Sequence, residues 1–368
     1  MRSSFLALAA LAMLPALATL SACSDDDPIR GARPPRDADA PRADAEIARG
    51  RGVYLRYCAL CHGENAQGYA ADHANALGNP AFLSIATDEF LRESIAHGRP
   101  GTPMSAWAQA QHGPLDDEAL GALVVYLRSL ATEPPIDVSN VRVVGSVERG
   151  RALYADNCVR CHGERGEGSD TATSISHPQF HRVASDGFLR HAIEHGRPGT
   201  PMPAFGSMSS QSIDDLVAFV RTLEHAPDRP TVPSGGAPPG LEDLVLNPDG
   251  SPPEFALRED RFVPSDAVNQ ALQQGRRMVI LDARATSDWA LGHIPGAAPF
   301  PFYDIEQMAQ HLPNDGTWIL AYCACPHAAS GHVVDELRSR GFQHTAVIDE
   351  GIHYWTEHGY PTETGAAP

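Results

Sequence analysis

The strongest constraint on this chain is an internal repeat. The eight residues His97 to Met104 (HGRPGTPM) return unchanged as His195 to Met202. Upstream of them, CALCHG (Cys58 to Gly63) is answered by CVRCHG (Cys158 to Gly163), 100 residues further on. His62 and Met104 stand 42 residues apart, and His162 and Met202 stand 40 apart. Each copy opens with a Gly-containing helical stretch, Ala48 to Cys58 and Glu148 to Cys158. Each closes with an apolar amphipathic one, Asp116 to Leu130 and Ser212 to Leu223. A fixed period of this kind means tandem duplication of one small domain.

The C-x-x-C-H spacing has a mechanical reason. Cysteines at i and i+3 of a helical turn share a face and can form thioethers to the two vinyl groups of a haem, with the adjacent His beneath the iron. A thioether sulfur held in a Pro-braced loop can serve as the other axial ligand. At these positions the sequence resembles class I c-type cytochromes, over roughly half of the chain. The resemblance implies two covalently bound haem c groups. Cys58 and Cys61 would attach one, between His62 and Met104 as iron ligands; Cys158 and Cys161 would attach the other, between His162 and Met202. Other readings of the same residues stand beside it. The four cysteines could form one zinc site, and His97 or His195, also repeated, could be the sixth ligand. Arg99 and Arg197 pair with haem propionates or cap their loops.

Composition sets the scale and the compartment. A chain of 368 residues, 42% hydrophobic and 20% charged, suits two or three folded units, and a net charge of −18 argues against nucleic acid as a partner. Residues 1–22 combine Arg2 with an apolar run from Phe5 to Leu20, which predicts a secretory signal peptide. The ending Leu20-Ser21-Ala22-Cys23 resembles a bacterial lipobox and implies a lipid on Cys23; plain cleavage with an idle Cys23 is the alternative. Residues 23–45, rich in Asp, Arg, Pro and Ala, read as a disordered tether. The expected location is the periplasmic side of a bacterial membrane, inner or outer, with periplasmic redox proteins as partners.

Seven cysteines less these five leave Cys323 and Cys325. They fall beyond the two cytochrome-like stretches, 46–133 and 146–225, and beyond a Pro- and Gly-rich linker at 226–257. From 258 to 368 strand and helix signals alternate. Met278 to Arg284, Thr317 to Cys323 and His344 to Asp349 read as strands and Ser330 to Gly341 as a helix, so a small α/β domain with a mainly parallel sheet is expected. Cys323 lies at the carboxyl end of a strand before a helix start, a place that favours the thiolate. Leu281 to Arg284 (LDAR), Gly292 to Ala297 (GHIPGA), Tyr322-Cys323, Asp349 to Trp355 (DEGIHYW) and Gly359 to Pro361 (GYP) resemble the rhodanese domain family. By that resemblance Cys323 is a sulfur-carrying nucleophile acting on small sulfur compounds.

The loop Cys323 to Ser330 (CACPHAAS) lacks the Gly and Arg of the family pattern, and residues 254–368 carry about twice as many acidic as basic side chains, which disfavours a dianion such as thiosulfate. Cys325 could attack a Cys323 persulfide or be a small buried residue. His327 could hold a proton or stabilise the thiolate, or be a surface histidine. The whole is expected to be multidomain: two mainly α-helical cytochrome c domains, then an α/β rhodanese-like domain. Three function classes follow: an electron carrier, an enzyme passing electrons from sulfur to haem, and a thiol-based sensing or binding module.

Overall fold

The computed structural model describes residues 40–71, 73–169, 171–224, 244–324 and 327–365. The signal peptide, Cys23, most of the expected tether and linker, and Cys325 with Pro326 lie outside the described residues. Among the described residues, no helix is long and apolar enough to cross a membrane.

The first helical unit runs α1 (Ala40–Tyr57), α2 (Ala59–His62), α3 (Pro80–Leu83), α4 (Asp88–His97) and α5 (Asp117–Ser129). Helix α1 starts inside the stretch expected to be tether. Four alanines lie between residues 40 and 48, and Pro41 falls in the first turn, where a missing N–H leaves no bond unmade. The second unit repeats the order with α6 (Val147–Asn157), α7 (Val159–His162), α8 (Pro178–Val183), α9 (Asp186–His195) and α10 (Ser210–Val220). Side-chain caps start the equivalent helices: Asn79 and His177 for α3 and α8, Thr87 and Ser185 for α4 and α9, Asp116 and Ser209 for α5 and α10.

The glycines of α1 and α6 are there for close crossing. A Cβ on Gly50 would lie 2.0 Å from the Ala122 carbonyl oxygen on α5, and one on Gly150 would lie 1.9 Å from that of Asp215 on α10. Between the units, Phe90 of α4 stacks on Phe188 of α9 with ring centroids 4.7 Å apart. Phe82 and Phe180 close on Phe188 edge-on, at 6.4 and 6.3 Å. One hydrophobic core therefore runs through both copies.

Asp215 is buried at the crossing of α6 and α10. It accepts hydrogen bonds from Arg149 Nε at 2.6 Å, the Ser146 backbone N–H at 2.6 Å and Gln211 Nε2 at 3.1 Å. The bond from Arg149, helped by Ser146 and Gln211 and opposed by burial, holds this carboxyl down at about 2. A depressed carboxylate stabilises the folded state above its unfolded pKa of about 4, and that contribution disappears as pH falls through the folded value. Thermal unfolding of the paired units at stepped pH is expected to show stability falling between about pH 4 and pH 2. Asp215→Asn is expected to be less stable at neutral pH and to flatten that slope.

The C-terminal domain comprises β1 (Phe262–Val263), α11 (Ser265–Gln273), β2 (Met278–Asp282), α12 (Thr286–Leu291), β3 (Ala298–Pro299), α13 (Ile305–Ala309), β4 (Trp318–Tyr322), α14 (Ala328–Ser339), β5 (Thr345–Ile348) and α15 (Gly351–Glu357). The strands form one parallel sheet in the order β1-β5-β4-β2-β3, with Asp282 in register with Tyr322. Every residue of β2 is buried, four apolar residues followed by Asp282, as a strand in a sheet covered on both faces requires. Val268, Ala271, Ile352 and Trp355 from α11 and α15 cover one face; Ile305, Ala309, Val333, Val334 and Leu337 from α13 and α14 cover the other. The domain begins earlier than its expected boundary at 258. Leu244 is buried in its core, and Leu246 exchanges both backbone hydrogen bonds with Met278, at 2.8 and 3.3 Å. The apolar triplet Leu244-Val245-Leu246 is thus folded against the sheet.

Candidate functional site

Each C-x-x-C-H turn is locked in the same way. Tyr54 Oη donates to the Gly63 carbonyl at 2.7 Å, and Tyr154 Oη to that of Gly163 at 2.8 Å. Both glycines have φ of +79°, which explains the Gly after each His. His62 Nδ1 donates to the Asn75 carbonyl at 2.9 Å and His162 Nδ1 to that of Thr173 at 3.2 Å, leaving each Nε2 as the donor atom for a metal. Burial lowers both imidazole pKa values, partly offset by those carbonyls, which favours the neutral rings. Burial also pushes the Cys58 thiol up to about 12 and, with Cys161 nearby, the Cys158 thiol up to about 11. Neutral sulfur in these walls suits thioether attachment better than thiolate ligation.

A cavity of about 310 Å³ brings together Cys58, Cys61, His62, Arg99 and Met104 of the first unit, Ser174 of the second, and Arg284 and Cys323 of the C-terminal domain. The Met loops are built alike. Arg99 N–H donates to the Met104 carbonyl at 2.7 Å and Arg197 N–H to that of Met202 at 3.0 Å, while Thr102 and Thr200 brace the turns. His97 turns to Glu93 at 3.4 Å and the His195 ring meets that of His191 at a tilt, 4.1 Å between centroids; neither lines the cavity. Among the described residues no three His, Cys, Asp or Glu side chains gather as a metal-ligand group, so the four cysteines do not form one zinc centre. Neutral cysteine, imidazole and thioether groups around an apolar cavity fit a haem c. Arg99 fits its propionates: burial and the facing Arg197 push that guanidinium down to about 10, so an anion would relieve it.

Cys323 follows β4 directly and is 4% exposed. Its Sγ lies 3.2 Å from Ser330 Oγ in the first turn of α14. Its carbonyl accepts from Ile352 N–H at 3.1 Å, and a Cβ on Gly351, whose φ is +68°, would lie 2.6 Å from that oxygen. The DEGI segment is therefore shaped by the cysteine it backs. Beneath the loop, Asp282 Oδ2 accepts from Arg284 Nη2 at 2.6 Å and from Tyr322 Oη at 2.7 Å, and Arg284 Nη2 also reaches the Gly292 carbonyl at 2.6 Å. Burial opposes the charge of Arg284, but Asp282 outweighs it and holds the guanidinium above its ordinary pKa. His327 caps the start of α14 with φ of +86°. Its Nε2 bonds to the Asp349 carbonyl and lies 3.2 Å from Asp349 Oδ1, and its ring rests on Phe262, away from the cavity wall.

The C-terminal domain docks on the first unit through polar contacts that flank the cavity. Ser105 Oγ donates to Asp288 Oδ2 at 2.6 Å, Ser287 Oγ to the Ala106 carbonyl at 2.7 Å, and Thr286 Oγ1 to that of His112 at 2.7 Å. On the other side Tyr57 meets Tyr303 edge-on at 4.9 Å and Arg56 pairs with Asp304.

The family described as cytochrome C oxidase, cbb3-type, subunit III matches residues 45–127 and again 145–220, and the rhodanese-like domain family matches residues 265–358. This is a tandem c-type cytochrome carrying a rhodanese-like domain. The tandem cytochrome is 24% identical over 190 residues to the cbb3-type cytochrome c oxidase subunit CcoP of Helicobacter pylori, covering 50% of this chain and 60% of that one. It is 27% identical over 184 residues to subunit FixP of Bradyrhizobium sp., covering 48% and 60%. The chain thus spans about three-fifths of the length of these relatives. The solved rhodanese-like domain of an Anabaena sp. protein is 30% identical, covering 29% of this chain and 80% of that one, with a TM-score of 0.27.

A match to a c-type cytochrome family accords with covalently bound haem c at the two C-x-x-C-H turns. In the tandem cytochrome the structure adds residues that sequence reasoning missed. Tyr54 and Tyr154 were visible as a repeat, each four residues before its first cysteine. Ser330 and the Ser105–Asp288 contact carried no pattern at all.

Proposed function

We propose that this protein is a dihaem electron carrier whose first haem site is coupled to sulfane-sulfur chemistry at Cys323. The observation that carries the coupling is the shared cavity, whose wall holds Cys323 together with Cys58, Cys61, His62 and Met104. Cys58 and Cys61 attach one haem c, with His62 and Met104 as its iron ligands; Cys158, Cys161, His162 and Met202 do the same in the second unit. Each haem, when bound, takes up and releases one electron. Two such sites would take the two electrons released when water adds to a Cys323-bound persulfide, giving its outer S–OH form and two protons. Cys323 attacks the outer sulfur of a small persulfide or polysulfide donor, forms a protein persulfide, and releases the donor as its shortened thiol. Arg284 places a cation in the same wall, and Ser330 holds the sulfur. A lipid on Cys23 would keep the assembly at the periplasmic face of a membrane, among redox proteins that take the electrons away.

The test follows the haem absorption of the oxidised, full-length protein without oxygen while a persulfide, polysulfide and thiosulfate are added in turn, beside a Cys323→Ser sample. Reduction by persulfide or polysulfide in the unaltered protein, abolished in Cys323→Ser, is expected. Equal reduction in both samples, or none in either, would leave an electron carrier whose rhodanese-like domain binds or senses instead.

A further inference from the structure

Each of the two HGRPGTPM loops docks on the opposite unit. Asn79, which caps α3, donates through Nδ2 to the Pro198 carbonyl at 2.8 Å; His177, its counterpart on α8, donates through Nε2 to the Pro100 carbonyl at 3.0 Å. The arginines cross over with the loops. The Arg99 guanidinium lies 5.2 Å from the ring centroid of Phe180 in the second unit, and that of Arg197 lies 5.0 Å from Phe82 in the first. Arg99 reaches further, donating through Nη1 to the Ser174 carbonyl at 3.2 Å. Ser174 adjoins Thr173, whose carbonyl holds the ring of His162. Among the described residues neither arginine forms an ion pair with a carboxylate.

We propose that Arg99 and Arg197 are each shared by both haem sites, so that the charge of either guanidinium is felt at both irons. The inference rests on the reading that each unit holds one haem c. A cation between two sites favours the electron-rich state of each, and in apolar, half-buried surroundings salt screens it little. Arg99 is also a positioning residue for His162, acting through Ser174 and Thr173, although its own backbone belongs to the first unit. The doubled loop is then a bridge as well as two separate lids.

Reductive titration of the full-length protein, read in the haem bands, tests this with wild type beside Arg99→Gln, Arg197→Gln, Arg99→Lys and Phe180→Leu. Each step takes one electron from the titrant. Two one-electron steps are expected in the wild type, and each Gln variant is expected to lower both midpoints. Arg99→Lys, which keeps the charge, is expected to restore both towards wild type, a rescue that a packing role would not give. Phe180→Leu removes the ring beneath Arg99 without removing charge, leaving the Ser174 bond as its hold on the second unit; it is expected to move both midpoints, and stands in if a Gln variant does not fold. Gln variants that each move a single step, a different one for each arginine, would overturn the proposal, as would Arg99→Lys behaving like Arg99→Gln. A wild type with fewer than two haem steps would sink the paired-site reading, and this inference with it.

Discussion

Asp282→Ala is expected to cost the rhodanese-like domain about 3–5 kcal/mol, because it breaks a buried ion pair from one side. Asp282 is fully buried and takes hydrogen bonds from Arg284 Nη2, Arg284 Nε and the Tyr322 hydroxyl, the shortest at 2.6 Å. Its loss leaves the Arg284 side chain, 12% exposed, with the Gly292 carbonyl in place of a carboxylate. Asp282→Asn preserves the shape and an acceptor for Tyr322, so a smaller loss is expected. Urea unfolding followed by far-ultraviolet circular dichroism separates the two variants. Near-equal midpoints for Asp282→Ala and wild type would show that Arg284 finds other partners. The effect should reach the cavity, since Tyr322 immediately precedes Cys323 and Arg284 shares its wall.

Gly150→Val is expected to be as damaging to the cytochrome part. The first added carbon would lie 1.9 Å from the Asp215 carbonyl oxygen and 2.8 Å from Phe219 Cβ. A flexible side chain can swing away from such a clash, but helix backbone cannot, so α6 and α10 must separate. Overpacking usually costs about 1–3 kcal/mol, and an obstruction by backbone belongs at or above the top of that range. The paired units should lose their melting transition at a temperature where wild type is folded, or fail to retain haem during purification. Gly52→Ala is the control in the equivalent helix of the first unit: a Cβ there meets nothing within 4 Å, and helix propensity favours alanine. A Gly150→Val protein with wild-type stability would mean the helices cross more loosely than described.

Much of this architecture was legible beforehand, for identifiable reasons. Duplication doubled every helical signal, and Met278 to Asp282 and Trp318 to Tyr322 are apolar runs of strand length ending at polar turns, so the α/β character of the last domain could be read directly. The limits were physical too. Helix α1 begins at Ala40 because alanine propensity overrides the polar texture that suggested a tether. Leu244 to Leu246 were hidden inside a Pro- and Gly-rich stretch. The approach of Cys323 to the first cytochrome unit had no signal, because Ser105, Thr286 and Ser287 make that interface with short polar side chains that follow no period. His327 was plausible beside Cys323 from its spacing alone, but its left-handed backbone turns the ring to Asp349.

The continuous core through Phe82, Phe90, Phe180 and Phe188 changes what the duplication means. Two copies that stack aromatic rings on each other have surrendered their autonomy: excising one would strip the other of an inner wall and expose a greasy face to water. Heat, proteases and mutation therefore meet a single cooperative body of roughly twice the usual size. The ancestral module survives as a motif in the sequence, while the entity that folds or fails is the pair.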